Sequence, residues 1–221
     1  MPVLLQTTAY CLTELPKNVQ SRVLERYRAF YVHDDWYQSI YEHADQAAQL
    51  LGITINRKHI NTQRLCTTPA IYFQGFCSQG DGACFEGHFS SPGNSSQIVA
   101  NIAAFSPEDV DLLNIAKRIQ HLLVHTDDQL TATLTHNGSR YSHPSTICVD
   151  AELVSESDET IEAITPPQGI ETELTEALRH FMGWIYRKLE REFEYLTSDA
   201  QIAEALNSNS FLFTEFGEPA A

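Results

Sequence analysis

No apolar run in these 221 residues approaches the roughly 20 needed to span a bilayer, so no transmembrane helix is expected. Basic residues are also scarce. Against 29 Asp and Glu stand only 14 Lys and Arg, a net charge of −15. A surface of that sign repels phosphate backbones, which disfavours direct binding of nucleic acid. The first residues, MPVLLQTTAYCL, lack the basic segment and small-residue cleavage pattern of a secretory signal, so a cytoplasmic location is expected. The five cysteines, Cys11, Cys66, Cys77, Cys84 and Cys148, are odd in number and have no C-x-x-C spacing, the usage of a reducing compartment. Cys77 and Cys84 flank one loop, but two small buried hydrophobes describe them better than a disulfide. Catalytic signatures are missing too: there is no Lys-Ser/Thr end of a P-loop, no Rossmann glycine spacing and no calcium loop. Neither a metal nor a cofactor is expected.

What the chain does contain is a globular composition, 43% hydrophobic with 11 Phe and 9 Tyr. A single domain of this length buries roughly 70% of its unfolded surface without staples. The strongest local signal lies at residues 70–90, AIYFQGFCSQGDGACFEGHFS. Tyr72, Phe73 and Phe76 before Ser78-Gln79-Gly80-Asp81-Gly82, with Phe85 and Phe89 after it, read as a β-hairpin, with Asp81-Gly82 supplying the positive φ of the reversal.

Periodicity places other elements around it. Residues 3–12 read as a strand. Val19, Val23, Leu24, Tyr27 and Phe30 give one helical face, and a second helix from Asp34 or Asp35 turns Trp36, Ile40, Ala44, Ala47 and Leu51 inward until Gly52 ends it. A short strand at 53–55 precedes an irregular 56–68. Ser106-Pro107-Glu108-Asp109 reads as a helix start capped by Ser106, followed by Val110, Leu113 and Leu123. Residues 130–135 and 145–153 alternate as a second hairpin. Residues 154–172, acidic and carrying Pro166, Pro167 and Gly169, read as a linker. A long helix over 174–196 follows, then a short helix to Leu206 and an edge strand at 211–213. The fold class expected is α+β: one domain over 1–221, an antiparallel sheet of hairpins with helices packed on one face.

Charge is uneven. Residues 1–150 hold 14 acids and 10 bases (net −4), whereas residues 151–221 hold 15 acids and 4 bases (net −11). Glu152, Glu156, Asp158, Glu159, Glu162, Glu171, Glu173 and Glu176 read as a solvated segment or a surface for a basic partner. His121 and His125 have the i, i+4 spacing of metal ligands, but no acid lies between them and no third ligand beyond His43 or His88 suggests itself. Ser78, Asp81 and His88 can be imagined as a nucleophile with an acid and a base, yet no strand-to-helix elbow surrounds Ser78. The plainer reading is that the glycines relieve strain while Asp81 bonds back to turn amides, leaving Ser78, Gln79, Gly80 and Asp81 as a recognition tip. Tyr37 and Tyr41 read as a pair on an exposed helix flank, suited to an interface.

Three stretches, ELPKNVQSRVLERYR with the following Asp-Asp-Trp-Tyr, IYFQGFCSQGDGACFEG, and LRHFMGWIYRKLEREFEYLTSDAQIAEAL, resemble a family of phage, prophage and plasmid proteins. That family carries an SGF-x-SQGDGACF-x-G type of motif, and some members are labelled antitoxin of a toxin–antitoxin stability system. The resemblance spans most of the chain, which departs from the pattern by an insertion-like segment at 56–68. It implies a mobile-element accessory protein that acts in a bacterial host cell by stoichiometric protein binding. The partner expected is a host protein with a basic surface, such as a nucleic-acid-binding effector of CRISPR or restriction defence. An antitoxin covering a toxin is the alternative of the same class, and a small hydrolase or nuclease that of another.

Overall fold

A computed structural model describes residues 8–28, 32, 35–61, 64–157, 160–167 and 169–220. In chain order these form α1 (Lys17–Arg28), α2 (Gln38–Leu50), β1 (Ile53–Ile55), β2 (Arg57–Asn61), β3 (Arg64–Pro69), β4 (Ile71–Gln74), β5 (Gly82–Phe85) and β6 (Gly87–Ser90). There follow α3 (Ile98–Phe105), α4 (Val110–His125), β7 (Leu130–His136), β8 (Ile147–Ser157), β9 (Thr160–Ile164), α5 (Ile170–Leu196) and α6 (Asp199–Ser208). The class is α+β with antiparallel pairing throughout. Two compact units result, Gln38–Leu189 and Met1–Tyr37 with Glu190–Ala221.

In the larger unit a five-stranded sheet runs β1-β6-β7-β8-β9. Period-2 alternation fixes its two faces. Ile53, Phe89, Ala132 and Ala151 stand in one cross-strand row and are buried, whereas the adjacent row Thr54, His88, Thr133 and Asp150 is exposed. β1 enters from α2 through Gly52, whose φ of +81° suits the helix end, and a Cβ there would stand 2.2 Å from the Ser90 carbonyl oxygen. The hairpin expected over 70–90 is split between sheets. β4 and β5 form their own two-stranded ladder, and the chain steps at Glu86 into β6 of the larger sheet.

Three expectations are corrected here. Within the expected irregular stretch 56–68, the described residues 57–61 and 64–68 belong to β2 and β3, which pair around a bulge, a register shift that hides strand alternation from a sequence reading. The stretch 154–172 expected as a linker instead carries the end of β8, which continues to Ser157 and pairs with β9 (Leu153 opposite Ile164, Val154 opposite Ala163, Glu156 opposite Ile161), and the start of α5 at Ile170. The cap of α4 is Asp109, not Ser106, since Ser106 closes α3 and the Asp109 carboxylate accepts from the Leu112 N–H at 3.0 Å. That carboxylate also accepts from Trp184 Nε1 at 2.9 Å and pairs with Lys188 Nζ at 2.8 Å. With Asp111–Arg187 at 3.2 Å and Arg118–Glu176 at 2.8 Å, these bonds lace α4 antiparallel to α5.

The smaller unit packs α1 and α6 around Leu12, Leu15, Val19, Val23, Ile202, Leu206 and Phe213. Tyr10 and Phe213 exchange backbone hydrogen bonds at 2.8 and 2.9 Å and Phe213 bridges Pro219 as well, so among the described residues the terminal strands expected from sequence appear as isolated bridges. Residues 3–7, Phe30 and Asp34 lie outside the described residues. Trp36 precedes α2 and packs its ring 5.6 Å from that of Phe193. Among the described residues no helix is long and apolar enough to cross a membrane.

Candidate functional site

The β4–β5 ladder sets Ile71 opposite Phe85, Tyr72 opposite Cys84, Phe73 opposite Ala83 and Gln74 opposite Gly82. Ile71, Ala83 and Phe85 are buried, which anchors the ladder and projects residues 75–81 as its tip. Asp81 organises that tip. Its Oδ2 accepts from the Ser78 N–H at 2.7 Å and the Cys77 N–H at 3.0 Å, while its own N–H donates to the Ser78 carbonyl at 3.1 Å. The positive φ values belong to Gly75 (+33°) and Gly80 (+98°) rather than to Asp81-Gly82. Gly82 is required for another reason: it lies flat beneath His143, whose Cδ2 would stand 2.9 Å from an added Cβ. Tyr186 of α5 donates its hydroxyl to the Gly75 carbonyl at 3.1 Å and packs on Phe76, so the tip is braced from below. Ser78 and Gln79 are exposed, and Gly80 lies against the Tyr141 ring.

Beside the tip opens a pocket of about 380 Å³. Tyr72, Cys84 and Glu86 form one wall, and His136 at the end of β7 with Tyr141 and Ser142 of the β7–β8 connection form the other. Gln74 joins the two walls, its amide donating to the Arg140 carbonyl at 3.0 Å and accepting from the Ser142 N–H at 3.1 Å. The His136 N–H donates to Glu86 Oε1 at 3.0 Å. Both imidazole nitrogens of His136 are occupied by backbone: Nδ1 accepts from the Gly138 N–H at 3.1 Å, which assigns the proton to Nε2, 3.1 Å from the Tyr141 carbonyl. Burial pushes the Cys84 thiol up and the Glu86 charge adds to this, against hydrogen bonds with Thr146 and Ser142 that lower it. Burial likewise raises the Tyr72 hydroxyl, again with the Glu86 charge adding to it. The pocket therefore holds a protonated thiol and a fully bonded imidazole, the opposite of an activated Cys-His pair.

The remaining sequence candidates fall elsewhere. His88 sits on β6 beside Thr133, and Asp81 is spent on the turn, so Ser78, Asp81 and His88 form no relay. Tyr41 is corrected from a flank residue to a core one. It is 2% exposed because α2 buries the stripe Tyr41, Ala44, Ala47 and Ala48, and its ring meets Phe73 edge-on at 6.5 Å. Tyr37, half-buried, belongs to the smaller unit. Glu156 stands opposite Ile161 and Glu162 opposite Ser155, positions of opposite parity in the β8–β9 ladder, so the two are not one row. Asp158 and Glu159 lie outside the described residues. The rings of His121 and His125 lie 4.0 Å apart, tilted by 35°, but no group of three or more metal-capable side chains occurs among the described residues.

Sequence reasoning passed over Glu86, His136 and Tyr141. They meet only through the β6–β7 pairing and the Gln74 clamp, and an aromatic inside the polar 136–146 connection was the single local hint.

A family model described as Domain of unknown function (DUF8835) matches residues 36–199. The chain belongs to that family. The DUF8835 match covers the whole larger unit, including the hairpin tip and the pocket. No curated protein and no solved structure matches the chain.

Proposed function

We propose that this DUF8835 protein acts by stoichiometric binding to a basic protein surface through the β4–β5 tip and its flanking pocket. The observation that carries this reading is the engagement of Asp81 and His136 by backbone groups. The tip acid Asp81 and the pocket imidazole of His136 are committed to holding backbone in shape, which favours a rigid contact surface over a reacting one. A braced tip loses little freedom on binding, which favours affinity. The net charge of −15 steers a basic partner towards it. In line with the resemblance to mobile-element proteins, the partner is a nucleic-acid-binding effector of bacterial defence, met in the host cytoplasm.

Phage plating on cells with an active CRISPR or restriction system, with and without this protein, tests the reading. Plating should recover, the protein should co-purify with the effector at a fixed ratio, and inhibition in vitro should end at that ratio. The double variant Ser78→Ala, Gln79→Arg should lose all three effects at an unchanged melting temperature. Inhibition far below that ratio would point to an enzyme, and neutralisation of a co-expressed toxin without plating recovery would point to the antitoxin.

A further inference from the structure

The pocket beside the tip contains a carboxylate, that of Glu86, which no described cation pairs with. Glu86 is half-buried, its Oε1 accepts one backbone N–H, and no ion pair among the described residues engages it. Its charge is felt by its neighbours on the same wall, where it adds to burial in raising both the Tyr72 hydroxyl and the Cys84 thiol. Two tyrosines, Tyr72 at 38% and Tyr141 at 41% exposure, line the same cavity. Both rings already accept cations in this fold, Lys58 Nζ lying 4.4 Å from the Tyr72 centroid and Arg140 Cζ 4.8 Å from that of Tyr141. Neither cation neutralises Glu86: Lys58 Nζ donates to the Ile71 carbonyl, and Arg140 reaches the Tyr141 hydroxyl.

We propose that this pocket receives the guanidinium group of an arginine side chain from the protein partner, seated between Tyr72 and Tyr141 and paired with Glu86. A planar guanidinium stacks on tyrosine faces while its N–H groups meet a carboxylate, a combination the compact ammonium of lysine does not offer. The volume of about 380 Å³ lies within the range of small-ligand sites and admits one such side chain. The inference rests on the protein-binding reading and names the chemistry by which that site recognises its partner.

The test needs no partner. The isotope-labelled full chain is titrated with N-acetyl-arginine amide and followed by backbone amide shifts. Saturable shifts are expected at Tyr72, Glu86 and Tyr141, and none with the neutral citrulline counterpart. Glu86→Gln, which keeps an acceptor for the His136 N–H, should weaken binding at least about tenfold, as loss of one charge-assisted pair implies. Tyr141→Ala should weaken it as well, and Tyr141→Phe should restore it. Equal shifts with citrulline, equal affinity for N-acetyl-lysine amide, shifts confined to other surfaces, or undiminished binding by folded Glu86→Gln would each overturn the assignment. The two readings fail separately: a parent protein that binds the arginine amide at these residues but inhibits no effector fails the functional reading alone, and one that inhibits the effector but shows no pocket shifts with the arginine amide fails this inference alone.

Discussion

At the scale of single residues, the hairpin aromatics and the tip acid have separable roles. Phe85 is fully buried and meets Phe181 edge-on at 5.9 Å, whereas Phe73 is only half-buried against Tyr41 and Phe76. Phe85→Ala should therefore cost about 3 to 5 kcal/mol in urea unfolding, and Phe73→Ala clearly less. Equal losses would mean that both rings contribute alike to the core. Asp81 was legible as a turn residue, but its part in fixing the tip is larger than a recognition reading alone allows. Asp81→Ala strands the Ser78 and Cys77 N–H groups, and because the loop is largely exposed, water recovers part of the loss. A cost of about 1 kcal/mol is expected, with faster amide exchange confined to residues 75–81. Asp81→Asn keeps an acceptor and should restore much of the protection.

At the scale of elements, α4 and α5 are joined through Asp109. Burial pushes its carboxyl up, but the bonds from Lys188, the Leu112 N–H and Trp184 outweigh this and hold it below the usual carboxylate range. Asp109→Ala removes a helix cap and leaves the Trp184 N–H and Lys188 ammonium without their acceptor. Thermal or urea unfolding should show a loss of about 2 to 4 kcal/mol. His43 of α2 stacks on Phe105 of α3 at 4.8 Å and lies 5.6 Å from Trp184 of α5. Burial, with the Lys188 charge adding to it and the Asp109 charge opposing it, holds the imidazole below its ordinary range. The fold thus favours neutral His43. Its stabilising contribution is complete above the unfolded value of about 6.5 and is lost as the pH falls through the lower folded value. Stability should decline from about pH 7 to about pH 5 more steeply in the parent than in His43→Phe, which keeps a ring but does not titrate. Parallel declines would assign the acid sensitivity to other groups.

At the scale of the whole molecule, charge and topology were not equally legible. If the acidic segment steers association, neutralising Glu156, Asp158, Glu159 and Glu162 together as Gln and Asn should slow association with the basic partner and flatten its salt dependence. Melting is followed alongside, so that slower association at unchanged melting assigns the effect to charge rather than to folding. Rates measured at about 50 and about 200 mM salt bracket a screening length near 10 Å; identical rates for parent and variant at both would remove the segment from the mechanism. By itself the sequence determined the α+β class, the helix faces with local 3.6-residue periodicity such as Val19 and Val23, the glycine end of α2, the β7–β8 hairpin and the net charge. Each of these is a property of neighbouring residues or of composition. Only the tertiary structure decided that 71–85 and 87–90 serve different sheets, that 154–157 and 160–164 are strand rather than linker, that Tyr41 is core, and that Glu86, Tyr72 and Tyr141 enclose one pocket. These depend on contacts between residues far apart in the chain. In β structure the face a side chain takes is set by pairing register, and the partner strand that sets the register is not written beside it.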